Sequence, residues 1–228
     1  MITLNDKEYI GNQDKFMEYA LHTFRFKDNK ESAVFSNAAK DAYCKAINES
    51  KNRKYSFMEF QVRDEKPCKI VIELFTDIAP RTCENFIQLC NGFKKPDGEQ
   101  LRYTMSEVTR IVKGMYLQAG KLKVMKTPAT GASIYGREFE DESFAIKHCE
   151  VGMLGMCKRG GTKNSNESQF YITTGAPLSF LDGENVIFGR VIEGMEMLRE
   201  LECLETTNER PNDQVKISAC GTFKAPGK

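Results

Sequence analysis

Few side chains in this 228-residue sequence are spaced for the common kinds of catalysis. Gly155 to Thr162, GMCKRGGT, is close to a phosphate-binding loop. However, Gly161 occupies the position of the obligatory lysine, and no strand leads through this segment into a helix. Glu140 to Glu142 bring three carboxylates together without the further ligands that a cation site needs. Neither segment therefore predicts nucleotide or cation chemistry.

The thiols and imidazoles also lack the spacing of a metal site. The histidines are His22 and His148, and none of the cysteines forms a C-x-x-C pair. We therefore expect no metal and no cofactor, and predict buried core thiols in a reducing compartment instead of disulfides. The eight cysteines are Cys44, Cys68, Cys83, Cys90, Cys149, Cys157, Cys203 and Cys220.

The elements that would position any active side chain are predominantly strands. Gln169 to Thr173 and Val186 to Val191 are short, apolar runs rich in β-branched and aromatic residues, separated by a loop containing Asp182 and Gly183. On periodicity alone they predict a core hairpin of an antiparallel β protein. A second hairpin is predicted from Phe57 to Val62 and Lys69 to Phe75.

The order of letters in these strands resembles the cyclophilin family. SQFYITT, FLDG and VIFGRVIEG follow one another between Ser168 and Gly194, as the corresponding tags do in that family. SIYGREFEDESF (Ser133 to Phe144) and VIELFTDIAPRTCENFIQLCNG (Val71 to Gly92) are similar to two further family segments. The resemblance covers Phe57 to Phe223 and implies a mainly β protein, a closed eight-stranded antiparallel barrel capped by helices.

Resemblance to cyclophilins implies peptidyl-prolyl cis-trans isomerase activity on X-Pro bonds. The rotation barrier of roughly 18–20 kcal/mol arises from amide resonance, so catalysis needs no nucleophile, metal or proton shuttle. It needs an apolar pocket for the proline ring and a donor directed at the prolyl nitrogen. Arg110, between Val108-Thr109 and Ile111-Val112, matches the family's catalytic arginine, and Gln118 matches the glutamine that orients the chain.

Other positions match the family's substrate groove with altered residues. Tyr171 stands for a phenylalanine, Phe180 for the tryptophan of the WLDG loop and Asn185 for a histidine. These changes predict a less preorganised pocket and reduced activity, since ~1.4 kcal/mol in the transition state is tenfold in rate. Phe180 has no indole N–H, which predicts weak cyclosporin binding. The matched substrate-binding positions are Met115, Tyr116, Gln118, Gln169, Tyr171, Phe180, Leu181 and Asn185.

Cys157, Lys158 and Arg159 replace small residues of the family's M-A-N-A segment, and we count them among the substrate-binding positions. The two cations predict a groove that favours acidic residues N-terminal to proline. They would also favour the Cys157 thiolate. A buried Cys157 that simply replaces alanine is the alternative.

The N-terminal region lies outside the resemblance. We predict residues 1–54 to be a hairpin with Asn5-Asp6 at its turn, then two helices, and residues 55–228 to be the cyclophilin-like domain. The first helix has an apolar stripe from Phe16 to Phe24. The second begins at a capping box, Asp28 and Glu31, and its stripe is wide enough to bind a protein partner.

Composition limits the remaining classes of function. Lys and Arg total 33 and Asp and Glu total 32, so the net charge of +1 gives no indication of nucleic-acid binding. No apolar run approaches the ~20 residues of a membrane span, and we expect a cytoplasmic protein. Together with the tail Thr206 to Pro211, TTNERP, the chain resembles the divergent isomerase-like branch numbered six. We predict a weak isomerase that assists folding or conformational switching of client segments. The alternative is a non-catalytic proline-peptide-binding or scaffold domain.

Overall fold

The computed structural model describes residues 2–4, 8–11, 22–23, 32–122 and 131–225, and it divides into two compact units at residues 46 and 47. None of the described helices is long and apolar enough to cross a membrane. In chain order the elements are β1 (Ile2–Leu4), β2 (Glu8–Gly11), α1 (Ser32–Glu49), β3 (Lys54–Val62), β4 (Cys68–Leu74), α2 (Pro80–Asn91), β5 (Phe93–Lys94), β6 (Gln100–Leu101), β7 (Arg110–Val112), β8 (Tyr116–Ala119), β9 (Met153–Lys158), β10 (Asn166–Thr173), β11 (Ile187–Glu193), α3 (Met195–Cys203), β12 (Thr206–Thr207), β13 (Arg210–Pro211) and β14 (Val215–Thr222).

The N-terminal unit contains the predicted hairpin and most of the second predicted helix. Strands β1 and β2 pair antiparallel, and α1 continues to Glu49. The turn at Asn5-Asp6, the helix with the stripe Phe16 to Phe24 and the capping box lie outside the described residues.

The larger unit is built on one eight-stranded sheet with the strand order β14-β3-β4-β11-β9-β10-β8-β7, in which all neighbours are antiparallel. The predicted β3-β4 hairpin is confirmed. The predicted β10-β11 hairpin is wrong, because β9 lies between these two strands. Both strands are apolar on each face, so their sequences do not reveal which neighbour each one pairs with.

The sheet curls on itself but is not a continuous closed ladder. The predicted closed barrel therefore slightly overstates how far the sheet closes. The segment that precedes the edge strand β7, Met105 to Val108, contacts the other edge strand, β14. The N–H groups of Met105 and Val108 donate to the carbonyls of Ile217 and Val215 at 2.8 and 2.9 Å, and Glu107 forms an isolated bridge with Lys216. These bonds satisfy part of the exposed edge of β14.

The interior of the curled sheet is filled by aromatic rings. Phe86 of α2 lies 5.3 Å, ring centroid to ring centroid, from each of Tyr103, Phe170 and Phe188, and all four are buried. The buried face of α2 also contains Cys83 and Cys90, as predicted, and burial raises the pKa of Cys83 to about 12. Pro80 begins the helix, where its missing N–H has no partner to lose.

Candidate active site

Three of the predicted site residues, Arg110, Gln118 and Tyr171, lie in one row across the outer face of the sheet. Arg110 of β7 is the cross-strand neighbour of Gln118 in β8, and Gln118 is the neighbour of Tyr171 in β10. Tyr171 in turn pairs with Gly155 of β9, which pairs with Ile187 of β11. Directly opposed residues on antiparallel strands project to the same face, so the pairing brings the predicted arginine, glutamine and tyrosine together.

Apolar side chains on this outer face form a second hydrophobic cluster, separate from the aromatic interior. Its buried members are Phe75, Met153, Tyr171 and Ile187. We call this group, with its partly buried neighbours, the outer cluster. Those neighbours are Ile78, Tyr116, Ile146, Cys157 and Leu181. The partly buried neighbours, among them Tyr116 beside Arg110, leave apolar surface of the kind that a proline ring requires.

Tyr171 fits this face because the residue beside it is glycine. A Cβ built on Gly155 would lie 2.3 Å from both the ring Cζ and the hydroxyl of Tyr171, well inside van der Waals contact. The ring also lies 5.4 Å from that of Tyr116, at an angle of 51°. Burial raises the pKa of the Tyr171 hydroxyl well above its usual range. Gly155 therefore provides the space into which the larger, hydroxylated ring is packed.

A buried hydrogen-bonded chain holds the Tyr171 hydroxyl. His148, 1% exposed, lies with Nε2 2.5 Å from the Tyr171 oxygen and Nδ1 2.8 Å from Oδ1 of Asp182. An ionised carboxylate only accepts, so in the neutral ring Nδ1–H donates to Asp182 and Nε2 accepts from Tyr171. The His148 backbone N–H also donates to Asp182, and these bonds lower the pKa of the Asp182 carboxyl. The sequence did not identify His148 as a residue of the site.

Arg110 is half exposed and engaged on two sides. Its Nε–H donates to Oε2 of Glu209 at 2.5 Å, and Nη1 donates to the Tyr116 hydroxyl at 3.1 Å. The bond to Glu209 raises the pKa of Arg110 above its usual value. Within the described residues Nη2 has no protein partner, so this end of the guanidinium can reach a peptide. Glu209 was not predicted as a site residue.

The remaining polar positions stabilise the row. Gln118 Nε2 donates to Oε1 of Gln169 at 3.1 Å, and Asn185 Nδ2 donates to the Met156 carbonyl at 2.8 Å. The Met115 carbonyl accepts from the N–H groups of Thr174 and Gly175 at 2.8 and 3.2 Å. The turn before Met115, where Gly114 has φ 73°, is thereby fixed to the loop after β10.

Two residues of the FLDG segment have different environments. Leu181 is partly buried against the outer cluster, whereas Phe180 is 61% exposed. Both belong to a short 3-10 turn, Ser179–Leu181, and Asp182 follows it. The bonds between Asp182 and His148 therefore hold this turn beside Tyr171.

The structure contradicts two hypotheses about Cys157 to Arg159, namely a groove whose cations favour acidic peptides and a favoured Cys157 thiolate. Lys158 is not a free groove cation, because its side chain is 4% exposed and its Nζ lies 2.8 Å from Oδ2 of Asp141. Arg159 is exposed, but its Nη1 donates to Oε1 of Glu138 at 3.0 Å. Burial raises the pKa of the Cys157 thiol, so its thiolate is disfavoured. The buried-cysteine alternative is the better interpretation, and the expected preference for acidic peptides loses its physical basis.

Asp141 explains the role of the FEDE segment. Burial alone would raise the pKa of its carboxyl, but hydrogen bonds from Lys158, the Asn164 backbone and Asn166 outweigh it and lower the pKa. Glu142 accepts from the backbone N–H groups of Arg81 and Thr82 in the first turn of α2, at 2.9 Å each. In the described part of the chain, no three His, Cys, Asp or Glu side chains are grouped to hold a metal ion. These carboxylates are structural.

The fold agrees with comparisons to known proteins. A family model described as "Cyclophilin type peptidyl-prolyl cis-trans isomerase/CLD" matches residues 57–222. The chain therefore belongs to the cyclophilin family. It is similar to the human "Probable inactive peptidyl-prolyl cis-trans isomerase-like 6", with 34% identity over 223 residues, 97% of this chain and 70% of that protein. The Bos taurus protein of the same description is 35% identical over 227 residues, 99% of this chain and 72% of that protein.

Proposed function

We propose that this chain binds proline-containing segments of client proteins at the outer cluster and catalyses their cis-trans isomerisation weakly. The observation that carries the proposal is the row of Arg110, Gln118 and Tyr171 across three adjacent strands. In support of the proposal, Nη2 of this guanidinium has no protein partner in the described part of the chain, and the partly buried Tyr116 beside it offers apolar surface that would suit a proline ring. Family membership supports the same activity.

Catalysis requires that Arg110 contact the peptide more favourably in the twisted state than in either planar state. As the prolyl C–N bond rotates, the nitrogen lone pair localises and becomes an acceptor for the guanidinium. The outer cluster holds the ring, and the clamped Tyr171 gives that surface a fixed shape. Neither step needs a metal, a nucleophile or a proton transfer.

Three features of the site support reduced activity. The Nε–H of Arg110 is bonded to Glu209, which restricts how the guanidinium can reorient toward a substrate. Met115 is a flexible side chain at a position where the family has an aromatic ring. Phe180 is directed into solvent without an indole donor, which supports weak cyclosporin binding. The relatives described as "Probable inactive" fit this expectation.

Exchange spectroscopy on a proline tetrapeptide, with wild type and Arg110→Ala compared, tests the proposal. Loss of one charge-assisted bond in the transition state should lower the catalysed exchange rate about 10- to 150-fold. Chemical-shift perturbation on the same samples gives the peptide affinity, which should change much less. Arg190→Ala is a matched control, since Arg190 pairs with Glu73 instead of with the site.

A non-catalytic scaffold is the second candidate, favoured by the engagement of Arg110 with Glu209. It predicts peptide-induced shifts at Tyr116 and Leu181 with no exchange above the uncatalysed rate. In that case Arg110→Ala leaves the exchange rate unchanged. The predicted partner-binding role of the N-terminal helices and a cytoplasmic location would fit either candidate.

A further inference from the structure

We infer that Glu209 is a positioning residue that restrains Arg110 and lowers the isomerase activity of this chain. The inference rests on the proposed function, because it takes Arg110 as the electrostatic catalyst. Glu209 touches the guanidinium and not the substrate. Its effect would therefore be exerted through the arginine.

The first line of evidence is that Glu209 is attached to β7 at two successive residues. Its carboxylate accepts from Arg110 Nε, and its backbone carbonyl accepts from the N–H of Ile111 at 2.7 Å. The β12-β13 hairpin that carries Glu209 is itself fixed, since Thr207 Oγ1 donates to Asn212 Oδ1 at 2.8 Å. The carboxylate is thus presented to the arginine by a rigid support.

The second line of evidence is the backbone conformation of the turn. Thr207 and Arg210 close a hairpin in which Asn208 has φ 51° and Glu209 has φ 64°. Two central residues with positive φ define a type I′ turn, for which Asn-Gly is the preferred pair. Asparagine suits its position, but glutamate is strained where glycine would be free. Backbone strain that persists at a functional site suggests that glutamate occupies this position because of its side chain, and not because the turn favours it.

The charges around the guanidinium give the direction of the effect. An ionised carboxylate at Nε offsets the positive charge of Arg110 and holds the guanidinium plane, since Tyr116 fixes Nη1 at the same time. A substrate that binds Nη2 in its twisted state therefore meets a guanidinium whose charge is partly offset and whose orientation is fixed by both bonds. Removal of the carboxylate should therefore increase the charge available to the prolyl nitrogen.

The turn conformation allows a variant that removes the carboxylate without destabilising the turn. Glu209→Gly removes the carboxylate and relieves the strained φ, so the variant should fold at least as well as wild type. Glu209→Gln keeps the side-chain length and removes only the charge. Asp213→Asn is the matched control, because that carboxylate pairs with Arg63 at a second exposed ion pair close in sequence.

Exchange spectroscopy at low salt, on wild type and each variant with one proline tetrapeptide, tests the inference. Glu209→Gly and Glu209→Gln should raise kcat/KM about two- to fivefold, the range expected for an exposed ion pair. Asp213→Asn should match wild type. The gain should vanish in an Arg110→Ala background, and it should shrink as salt rises from ~0.05 M to ~0.5 M. A purely structural role for Glu209 would not produce this salt profile.

The outcomes separate failure of the inference from failure of the proposed function. Equal or slower catalysis by Glu209→Gly, with an active wild type, overturns the inference and leaves the proposed function intact. If wild type and Glu209→Gly are both inactive, the inference and the proposed function are both overturned. An inactive wild type with an active Glu209→Gly supports the inference and shows that the apolar surface is competent.

Discussion

The two faces of strand β10 show how one strand serves two purposes. Phe170 faces inward, where its ring packs edge-on against Phe86 and Tyr103 at 5.3 Å. Tyr171, the next residue, faces outward and is nearly as buried, yet it is held by a hydrogen bond to His148. The interior ring cluster is dominated by contacts between aromatic rings, whereas Tyr171 in the outer cluster is fixed by packing plus a hydrogen-bonded chain of side chains. Stability should depend mainly on the first face, and the shape of the site on the second.

The largest effect should come from the interior. Phe86→Ala removes a fully buried ring with three aromatic neighbours and should lower the free energy of unfolding by about 3–5 kcal/mol. Urea denaturation measures this value. Phe180→Ala, at a 61% exposed ring, is the control and should stay within about 0.5 kcal/mol of wild type. Equal losses at both positions would contradict the assigned difference in burial.

The next largest effect should come from the fit between Gly155 and Tyr171. Gly155→Ala places a methyl group against a ring that cannot move away, and should destabilise by about 3 kcal/mol. In a Tyr171→Leu background the same change should cost much less, since the crowded atoms are gone. A double-mutant cycle on urea midpoints should give a coupling of about 1–3 kcal/mol. Additive effects would show that the ring does not occupy the space beside Gly155.

A smaller effect should follow from removal of the Tyr171 hydroxyl. Tyr171→Phe leaves Nε2 of the buried His148 without its donor, which should cost about 1–2 kcal/mol in unfolding free energy. Tyr116→Phe is the matched control, because its hydroxyl bonds to the half-exposed Arg110 and should cost less. The His148 ring protons, followed by NMR, should shift in Tyr171→Phe and remain in place in Tyr116→Phe.

The smallest effect should be the contribution of Asp182 to the pH dependence of the free energy of unfolding. Its pKa is lower in the folded protein, so its stabilising contribution is complete above the unfolded pKa of about 4 and is lost as pH falls through the folded pKa. Wild type should therefore be more stable than Asp182→Asn at pH ~5, and this difference should shrink toward pH ~2. Urea titrations at these values measure it. A difference that grows with acid would reverse the assigned sign.

Much of the site could be predicted from short sequence motifs. Arg110, Gln118 and Tyr171 match family motifs, and the antiparallel register brings them to one face, as resemblance implied. The buried face of α2 is readable from periodicity, since Cys83, Phe86, Ile87 and Cys90 recur at helical spacing. The position of β9 between β10 and β11 is not, because strand neighbours depend on loop paths and not on apolar content.

What the sequence could not supply were partners from distant parts of the chain. Lys158 looked like a groove cation because its carboxylate, Asp141, belongs to another segment that the fold brings to 2.8 Å. His148 was considered only as a metal ligand, although a buried tyrosine needs a partner. Glu209 gave one readable signal, namely a charged residue at a position in a two-residue turn where glycine would be expected.

The hairpin beside β7 also determines how a client can be recognised. Because the Ile111 N–H already donates to Glu209, a client chain cannot add itself as a further strand at that point of the sheet. Recognition then depends on side chains around one imide bond and involves few backbone contacts. In the proposed function, such a contact would tolerate variation in the residues that flank the proline.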